Sequence, residues 1–489
     1  MERRKFLKYC GVTASTLILP SCVAKAQNSD NKKLPNIIYI MLDELGYFEL
    51  SCMGNTKVST PNIDRMASEG MRFTQMLAGG CVCAPTRSVL MTGKHLGHTT
   101  VRANGGGMAL LEGEPTIAST LKQAGYATGG FGKWGLGDCG TTGVPEKHGF
   151  DLFYGYYHQV HAHSYYPRYL LRNSKKEYLK GNTGDYYEGE TFAQDRIFEE
   201  ATKFIRSNKD KPFFCYCPWT PPHGLWGFPK DDPAWKDYKD KDWTAGQQKP
   251  TDAKVYAAMI KMIDRQVGQI LKTLDELGID DNTLVFFCGD NGGQPYFNNG
   301  DPSKPKPKNP PYPHGFFGPN LNPATNERFR GGKGNFYEGG LRIPFIVRWP
   351  GKIKAKQVSN HLGYFPDVMA TLSDITGTKA PNDIDGISFA PTLLDNSKKQ
   401  KQHEYLYWEM GGQVAVRLGN YKMVRPGTNK DFELYDLAKD IEEKINIAKD
   451  KPEILAKMKN MASQAHVKNV VGTYLPGGKE KGFQGQSKD

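Results

Sequence analysis

The segment Cys83–Lys94, CAPTRSVLMTGK, carries the residues best suited to chemistry in this chain. Pro85 suits the first turn of a helix, where its missing N–H costs no hydrogen bond. A helix start offers free backbone N–H groups and a partial positive charge, which together bind anions. Arg87, one turn after Cys83, can bring a guanidinium to the same place. A cysteine beside an anion-binding helix start indicates chemistry on a sulfate or phosphate ester.

This segment also closely resembles a family signature. Its pattern, C-x-P-[ST]-R-x-x-x-[LM]-T-G, is that of the type I sulfatases of the alkaline-phosphatase-like superfamily. A lone C-x-P-x-R is more often a buried cysteine before an ordinary helix, but the further motifs below follow in the family's order. The resemblance implies that a maturation enzyme oxidises Cys83 to formylglycine, whose hydrated aldehyde is the nucleophile.

Acidic and amide side chains follow two apolar runs that we predict to be buried strands. Asp43 and Glu44 come after the first run, and Asp290 and Asn291 come after the second. Because ligand sites in α/β sheets gather at the carboxyl ends of strands, these side chains could face each other. Their oxygens suit Ca²⁺ or Mg²⁺. The resemblance implies a divalent cation here, usually calcium, with Cys83 also at the metal; Glu44 departs from the family's usual aspartate.

Residues 132–137, GKWGLG, resemble the family segment G-K-W-H-L-G. The resemblance implies that Lys133 contacts the sulfate and the nucleophile. Gly135 replaces the histidine that serves the formylglycine hydroxyl in the family, so the base that releases the covalent intermediate has no assigned residue. Three histidines in the region where relatives contact substrate are candidate substrate-binding residues, namely His158, His161 and His163. A structural role for two of them is the competing interpretation.

Two further segments complete the resemblance. Pro221-Pro222-His223 is similar to the family's A-P-H, whose histidine assists the leaving oxygen. The run from Arg330 to Pro344, RGGKGNFYEGGLRIP, resembles R-G-G-K-G-x-x-x-E-G-G-x-R-x-P, in which the lysine binds sulfate. That lysine is Lys333 here.

The resemblance implies a mechanism governed by charge. The metal and three cationic side chains, those of Arg87, Lys133 and Lys333, would neutralise the sulfuryl oxygens. One hydroxyl of the hydrated aldehyde would attack sulfur while His223 protonates the leaving alcohol. Loss of the second hydroxyl's proton would then expel sulfate, a step that a plain thiol cannot perform.

The elements that position these residues alternate along the chain. Apolar runs at 36–42, 126–131, 213–219, 283–288 and 343–349 predict strands, and amphipathic patterns at 61–69, 116–124 and 255–274 predict helices. This alternation predicts an α/β sandwich with a large mixed sheet between helices. Short alternating segments between 405 and 436, followed by a lysine-rich stretch at 452–465, predict a smaller C-terminal antiparallel sheet with a packed helix.

The predicted organisation has four parts: an export signal at 1–26, a catalytic domain at 34–376, a C-terminal subdomain at 377–476 and a disordered tail at 477–489. Arg3-Arg4 and the short apolar stretch after them resemble a twin-arginine export signal. Leu19-Pro20-Ser21-Cys22 resembles a lipobox, and Ala24-Lys25-Ala26 offers a competing cleavage site. We therefore expect a bacterial periplasmic or cell-envelope protein, either soluble or anchored by lipid at Cys22.

The formal net charge of +12 favours an anionic partner. Because the chain shows no nucleic-acid-binding module or concentrated basic helix, we expect a sulfated oligosaccharide rather than nucleic acid. Two other functions stay open at this point. One is a phosphate or phosphonate ester hydrolase on the same scaffold, and the other is a sulfated-glycan-binding protein without catalysis, which Glu44 and Gly135 favour.

Overall fold

The computed structural model describes residues 33–104, 108–224, 226–241, 250–293, 321–322 and 324–470. The chain from Leu34 onward forms one compact unit. The predicted export segment at 1–26, the predicted tail at 477–489 and most of a proline- and lysine-rich insertion at 299–326 lie outside the described residues. The predicted boundary between residues 376 and 377 stays a prediction.

Ten strands form one sheet in the described part of the chain: β1 (Asn36–Leu42), β2 (Met71–Leu77), β3 (Ala127–Lys133), β4 (Leu152–Tyr156), β5 (Tyr169–Arg172), β6 (Lys175–Tyr178), β7 (Phe213–Trp219), β8 (Thr283–Gly289), β9 (Phe345–Arg348) and β10 (Gln357–Tyr364). Their order is β10-β2-β9-β8-β1-β7-β3-β4-β5-β6. The central strands β8, β1, β7, β3 and β4 run parallel, whereas β9, β5 and β6 pair antiparallel to their neighbours. The mixed sheet is as predicted.

Helices cover both faces of this sheet: α1 (Pro61–Ser68), α2 (Cys83–Thr92), α3 (Ile117–Lys122), α4 (Ala193–Ser207), α5 (Pro233–Lys236), α6 (Pro250–Glu276), α7 (Glu338–Leu341), α8 (Pro366–Thr376), α9 (Ala390–Leu393) and α10 (Pro452–Ala465). Alternate residues of β1 enter different cores. Tyr39 and Met41 pack with side chains of α2, α3 and α8, and Ile38 and Ile40 pack with side chains of α1, α4 and α6. Both faces of β1 are thus buried, which explains its continuous apolar run. The predicted α/β sandwich is confirmed.

A second, antiparallel sheet follows: β11 (Leu406–Met410), β12 (Gln413–Leu418), β13 (Tyr421–Arg425) and β14 (Glu433–Asp436). One face packs on α10 through Val416, Met423 and Met458. The other face joins the main core, where the fully buried Trp408 donates its indole N–H to the carbonyl of Ala78 at 2.9 Å. The predicted small sheet with its packed helix is confirmed. No helix among the described residues has both the length and the apolar content needed to cross a bilayer.

Candidate active site

Four neighbouring parallel strands deliver polar side chains to one edge of the sheet. Asp43 follows β1, Asp290 follows β8, Lys133 ends β3, and His223 lies shortly after β7. The backbone N–H of Asp290 donates to the carbonyl of Leu42 at 2.9 Å, which locks the ends of β8 and β1 together. Parallel strands end at the same edge, so residues far apart in sequence meet there. The structure thereby brings together the two acidic segments that the sequence analysis paired.

Cys83 begins α2 and faces this edge. It is buried, and its thiol donates to Asp43 Oδ1 at 3.0 Å. Burial and the charge of Asp43 raise the pKa of the Cys83 thiol well above its ordinary value. The thiol therefore stays protonated, and a protonated thiol is a poor nucleophile.

The start of α2 does not offer the row of free N–H groups that the sequence analysis expected. The N–H of Ala84 donates to Asn104 Oδ1 at 2.8 Å, and Pro85 has no N–H. The N–H of Thr86 donates to the carbonyl of Val82 at 3.3 Å. Because these groups are already paired, anion binding here depends on cationic side chains rather than on the helix terminus.

Two fully buried cations supply that positive charge. Arg87 Nη2 lies 3.0 Å from Asp290 Oδ2, and its Nη1 donates to the carbonyl of Lys133 at 2.8 Å. Lys133 Nζ lies 2.6 Å from Asp43 Oδ2. Both side chains are 0% exposed, so their charges act through a medium of low dielectric and are strong. Burial alone would raise the pKa of Asp43, but Lys133, His223 and Arg87 hold it well below its usual range.

The carboxylate and amide oxygens fit a divalent cation. Glu44 adopts a left-handed backbone with φ +67°, and its N–H donates to Asp290 Oδ1 at 3.0 Å. Glu44 Oε2 and Asn291 Oδ1 are buried and accept no hydrogen bond from the part of the chain that the structure describes. Burial and the nearby Asp43 raise the pKa of Asp290 to about 7. A cation with oxygen ligands would bind these two unpaired acceptors and would offset the repulsion between the neighbouring carboxylates.

His223 and Lys333 converge on the same oxygen of Glu44. His223 Nε2 lies 2.9 Å from Glu44 Oε1, and Lys333 Nζ contacts that oxygen too. Lys333 Nζ is 3.3 Å from His223 Nε2, and the ring of His163 stacks on that of His223 with centroids 4.2 Å apart. Atoms of Asp43, Glu44, Cys83 and His223 all lie within 4.8 Å of one another. The longer Glu44 side chain thus joins the metal candidates to the predicted proton donor.

The three histidines of the substrate-binding prediction occupy different positions. His163 lies against His223, as just described. His161 is buried, with its ring 5.1 Å from that of Tyr156 and 4.9 Å from that of Tyr169 between centroids. His158 is also buried, and its Nδ1 accepts the N–H of Val160 at 3.1 Å. The structure places His163 against His223, one of the predicted catalytic residues; binding by any of the three stays a prediction.

Gln159 lies where sequence reasoning named no residue. Gly135 has φ +80°, and a Cβ added to it would lie 2.4 Å from Gln159 Nε2. Gln159 is 7% exposed, and neither its Nε2 nor its Oε1 has a hydrogen-bond partner within the described ranges. No motif marks Gln159; the one available signal was the missing side chain at Gly135, which sits beside it only in the folded chain.

Comparison with known proteins accounts for most of this chain. Residues 35–378 match the sequence profile of the sulfatase family, and residues 331–468 match that of the N-sulphoglucosamine sulphohydrolase C-terminal region. The chain is 28% identical to an N-acetylgalactosamine-6-O-sulfatase of Bacteroides thetaiotaomicron over 91% of this chain and 96% of that protein. It is 31% identical to the N-acetylgalactosamine-6-sulfatase of Rattus norvegicus over 79% of this chain and 71% of that protein.

A solved structure gives the same result at the level of the fold. It comes from work on glycosaminoglycan metabolism by Bacteroides thetaiotaomicron, and it is 27% identical to this chain with a TM-score of 0.69. The match covers 88% of this chain and 98% of that one. Sequence and fold comparisons therefore agree over most of the chain.

Proposed function

Since this chain belongs to the sulfatase family, with the alkaline-phosphatase-like fold and the activity of a sulfuric ester hydrolase, we propose that it hydrolyses sulfate monoesters of a sulfated carbohydrate. The observation that carries this proposal is the buried cluster in which Cys83, Lys133 and Arg87 all contact Asp43. The sugar class rests on relatives named for N-acetylgalactosamine 6-sulfate and on the net charge of +12.

The proposed nucleophile derives from Cys83. Burial and Asp43 both raise the pKa of the unmodified thiol, so it stays protonated and is a poor nucleophile. Oxidation to formylglycine by a maturation enzyme would replace it with an aldehyde whose hydrate supplies a hydroxyl nucleophile. Mass spectrometry of the tryptic peptide 73–87, from protein made in a host with that enzyme, would show loss of sulfur and gain of oxygen at Cys83. An unmodified Cys83 in a host that converts another sulfatase would contradict this proposal.

The proposed metal is Ca²⁺, with Mg²⁺ as the alternative. Asp43, Glu44, Asp290 and Asn291 would hold it, because the Glu44 N–H joins the two acidic segments through Asp290 and because Glu44 Oε2 and Asn291 Oδ1 lack partners among the described residues. The cation would supply positive charge to the sulfate oxygens and to the residue at Cys83. We expect isothermal titration of the chelator-treated protein to give one Ca²⁺ site, and Asp290→Asn to weaken it by about 10- to 100-fold. Wild-type binding by Asp290→Asn would contradict this assignment.

The remaining side chains have distinct proposed roles. Arg87 and Lys133 place fixed positive charge beside Cys83, where it stabilises negative charge on sulfuryl oxygens without reorganisation. Glu44 and Asp43 raise the pKa of His223 despite its burial, so its Nε2 holds a proton that it can donate to the leaving oxygen. Lys333, 3.3 Å from that Nε2, would bind a sulfate oxygen at the mouth of the site.

The proposal extends to location. The twin-arginine-like start and the lipobox-like segment support export to the bacterial periplasm or envelope, with a lipid anchor at Cys22 as one form. Cell fractionation of a strain that makes the full chain tests this. Arg3→Lys/Arg4→Lys should hold the protein in the cytoplasm, and Cys22→Ala should release it from membranes only if the anchor exists.

The decisive experiment compares ester classes with the converted, Ca²⁺-loaded protein. We expect hydrolysis of sulfated glycosaminoglycan saccharides, with kcat/KM for a sulfate ester well above that for the matching phosphate ester. The reverse preference would indicate a phosphate or phosphonate ester hydrolase. Tight binding of sulfated saccharides without turnover, despite formylglycine at Cys83, would indicate a binding protein.

A further inference from the structure

Gln159 is a buried polar side chain with no partner among the described residues. It is 7% exposed, yet neither its amide nitrogen nor its amide oxygen makes a hydrogen bond. Leaving such a group unpaired costs as much stability as several ordinary hydrogen bonds supply, so native proteins rarely tolerate it. The unpaired amide therefore indicates a ligand that occupies this place when the enzyme works.

The position of the Gln159 amide shows which part of the site a bound group would occupy. The point where Gly135 would carry a Cβ lies 2.4 Å from Gln159 Nε2 and 3.7 Å from Arg87 Cδ. Gln159 therefore fills the space in front of Gly135, on the side where the Arg87 side chain passes. Arg87 stands one turn after Cys83 on α2, and its guanidinium contacts the carbonyl of Lys133. The unpaired amide thus lies near Arg87, one of the two buried cations beside the proposed nucleophile.

The chemistry of an amide selects the group that it binds. Nε2 donates hydrogen bonds and Oε1 accepts them, so the pair suits a group that does both, and each hydroxyl of a hydrated aldehyde is such a group. A carboxamide is not a base at neutral pH, so it can hold a hydroxyl without taking its proton.

We propose that Gln159 is a positioning residue whose amide binds a hydroxyl of the hydrated aldehyde at position 83. This inference rests on the proposed function. The hydrogen bonds fix the orientation of the diol, which forms when water adds to the aldehyde, and they favour the diol over the free aldehyde. Gly135 is required because any side chain at that position would occupy the space of the amide.

The test removes the hydrogen-bonding groups of Gln159 while it keeps the volume of the side chain. Gln159→Met replaces the amide with an apolar chain of similar length, and Gln159→Glu keeps the shape but loses the donor. Gln194→Met is the matched control, because Gln194 is also a buried glutamine but lies on α4, bonded to Gln266 at 2.8 Å. Mass spectrometry first verifies that Cys83 is converted to formylglycine in every variant, and the converted variants are then compared.

Two measurements, steady-state kinetics and the rate of aldehyde labelling, report the effect of these substitutions. We expect kcat to fall by about ten-fold in Gln159→Met for both a small aryl sulfate and a sulfated sugar, with little change in KM. An aminooxy reagent, which reacts with the free aldehyde but not with the diol, should label Gln159→Met about five-fold faster than the wild type. Gln194→Met should match the wild type in both measurements.

Other outcomes overturn the inference. A rise in KM confined to the sugar substrate, with unchanged labelling, would mean that Gln159 binds a sugar hydroxyl instead. Unchanged kcat and labelling in both Gln159 variants would mean that the amide has no role at the reacting group. Failure of the proposed function looks different, because the wild type itself would then hydrolyse no sulfate ester.

Discussion

The site concentrates four ionisable side chains around the carboxylates of Asp43 and Glu44. Lys133 and Cys83 contact Asp43, while His223 and Lys333 contact Glu44. Such buried charges cost much free energy unless each is compensated, and here each cation has a carboxylate partner. At the scale of single residues, function follows from this compensation and from described side-chain atoms that lack a hydrogen-bond partner, among them Glu44 Oε2, Asn291 Oδ1 and the Gln159 amide.

Substitutions at positions 135 and 159 test whether the two side chains compete for the same space. Gly135→His alone should abolish activity, because its side chain would collide with Gln159 Nε2, 2.4 Å from the new Cβ. Histidine tolerates the left-handed backbone of φ +80° better than most residues do. We therefore expect Gly135→His/Gln159→Ala to be more active than Gly135→His in steady-state kinetics. Equal inactivity, with both proteins folded by circular dichroism, would argue against a shared space.

The buried His161 should limit stability in acid. Burial lowers its pKa from 6.5 to about 3, because the folded protein disfavours the charged ring. The unfolded chain then binds more protons, so this residue's contribution is complete above pH 6.5 and is lost as pH falls toward 3. The expected loss is about 1.4 kcal/mol for each pH unit in that window.

Thermal unfolding between pH 7 and pH 4 checks this expectation. His161→Phe should flatten the pH dependence of the melting temperature relative to the wild type. His466→Phe is the control, because the His466 side chain is 58% exposed. Equal slopes for the wild type and His161→Phe would show that another group governs acid stability.

Between elements, a buried ion cluster joins the glycine-rich segment to the small sheet. Glu338 begins α7, and Lys422 on β13 lies 3.0 Å from Glu338 Oε1 and 3.0 Å from Glu443 Oε1. The N–H of Glu338 also donates to Glu443 Oε2 at 2.7 Å. Since Lys333 precedes α7 by only a few residues, this cluster holds the segment that presents Lys333 to the site.

Removing the charge of Lys422, the cation between the two carboxylates, should destabilise the folded protein. Lys422→Met leaves two buried carboxylates facing each other, and we expect a loss of about 3–5 kcal/mol in the free energy of unfolding. Lys422→Met/Glu443→Gln should recover part of that loss, because one of the charges is removed with its partner. Urea unfolding followed by fluorescence measures both. A loss below about 1 kcal/mol in the single variant would show that the cluster contributes little.

Across the whole molecule, charge should govern the binding of polyanionic substrates. The formal net charge of +12 attracts a substrate with many sulfates more strongly than one with a single sulfate. Because salt screens such attraction over about 8 Å at physiological ionic strength, KM for a multiply sulfated oligosaccharide should rise steeply between 50 and 500 mM NaCl. The monosulfated sugar serves as control and should show a smaller rise. Equal salt dependence for the two substrates would contradict long-range attraction.

Local sequence patterns determined most of the elements. The apolar runs of β7 and β8, the four short strands after residue 405 and the helix Pro452–Ala465 were predicted with bounds within two residues of those in the structure. Each depends on neighbours along the chain, such as alternation, a proline start or a glycine stop. The hairpin of β5 and β6 was not predicted, because both strands have only four residues and β6, at the edge of the sheet, is mostly polar and exposed.

The sequence by itself determined the family, the fold class and the residues that meet at the edge of the sheet, since motifs and periodicity are local and parallel strands end together. Tertiary structure alone decided the rest. It paired the Ala84 N–H with Asn104, buried His161 between two tyrosines and set Gln159 over Gly135. These contacts join residues from different helices, strands and loops. Their distances and burial are fixed only when the folded sheet positions those segments, so no pattern along the chain contains them.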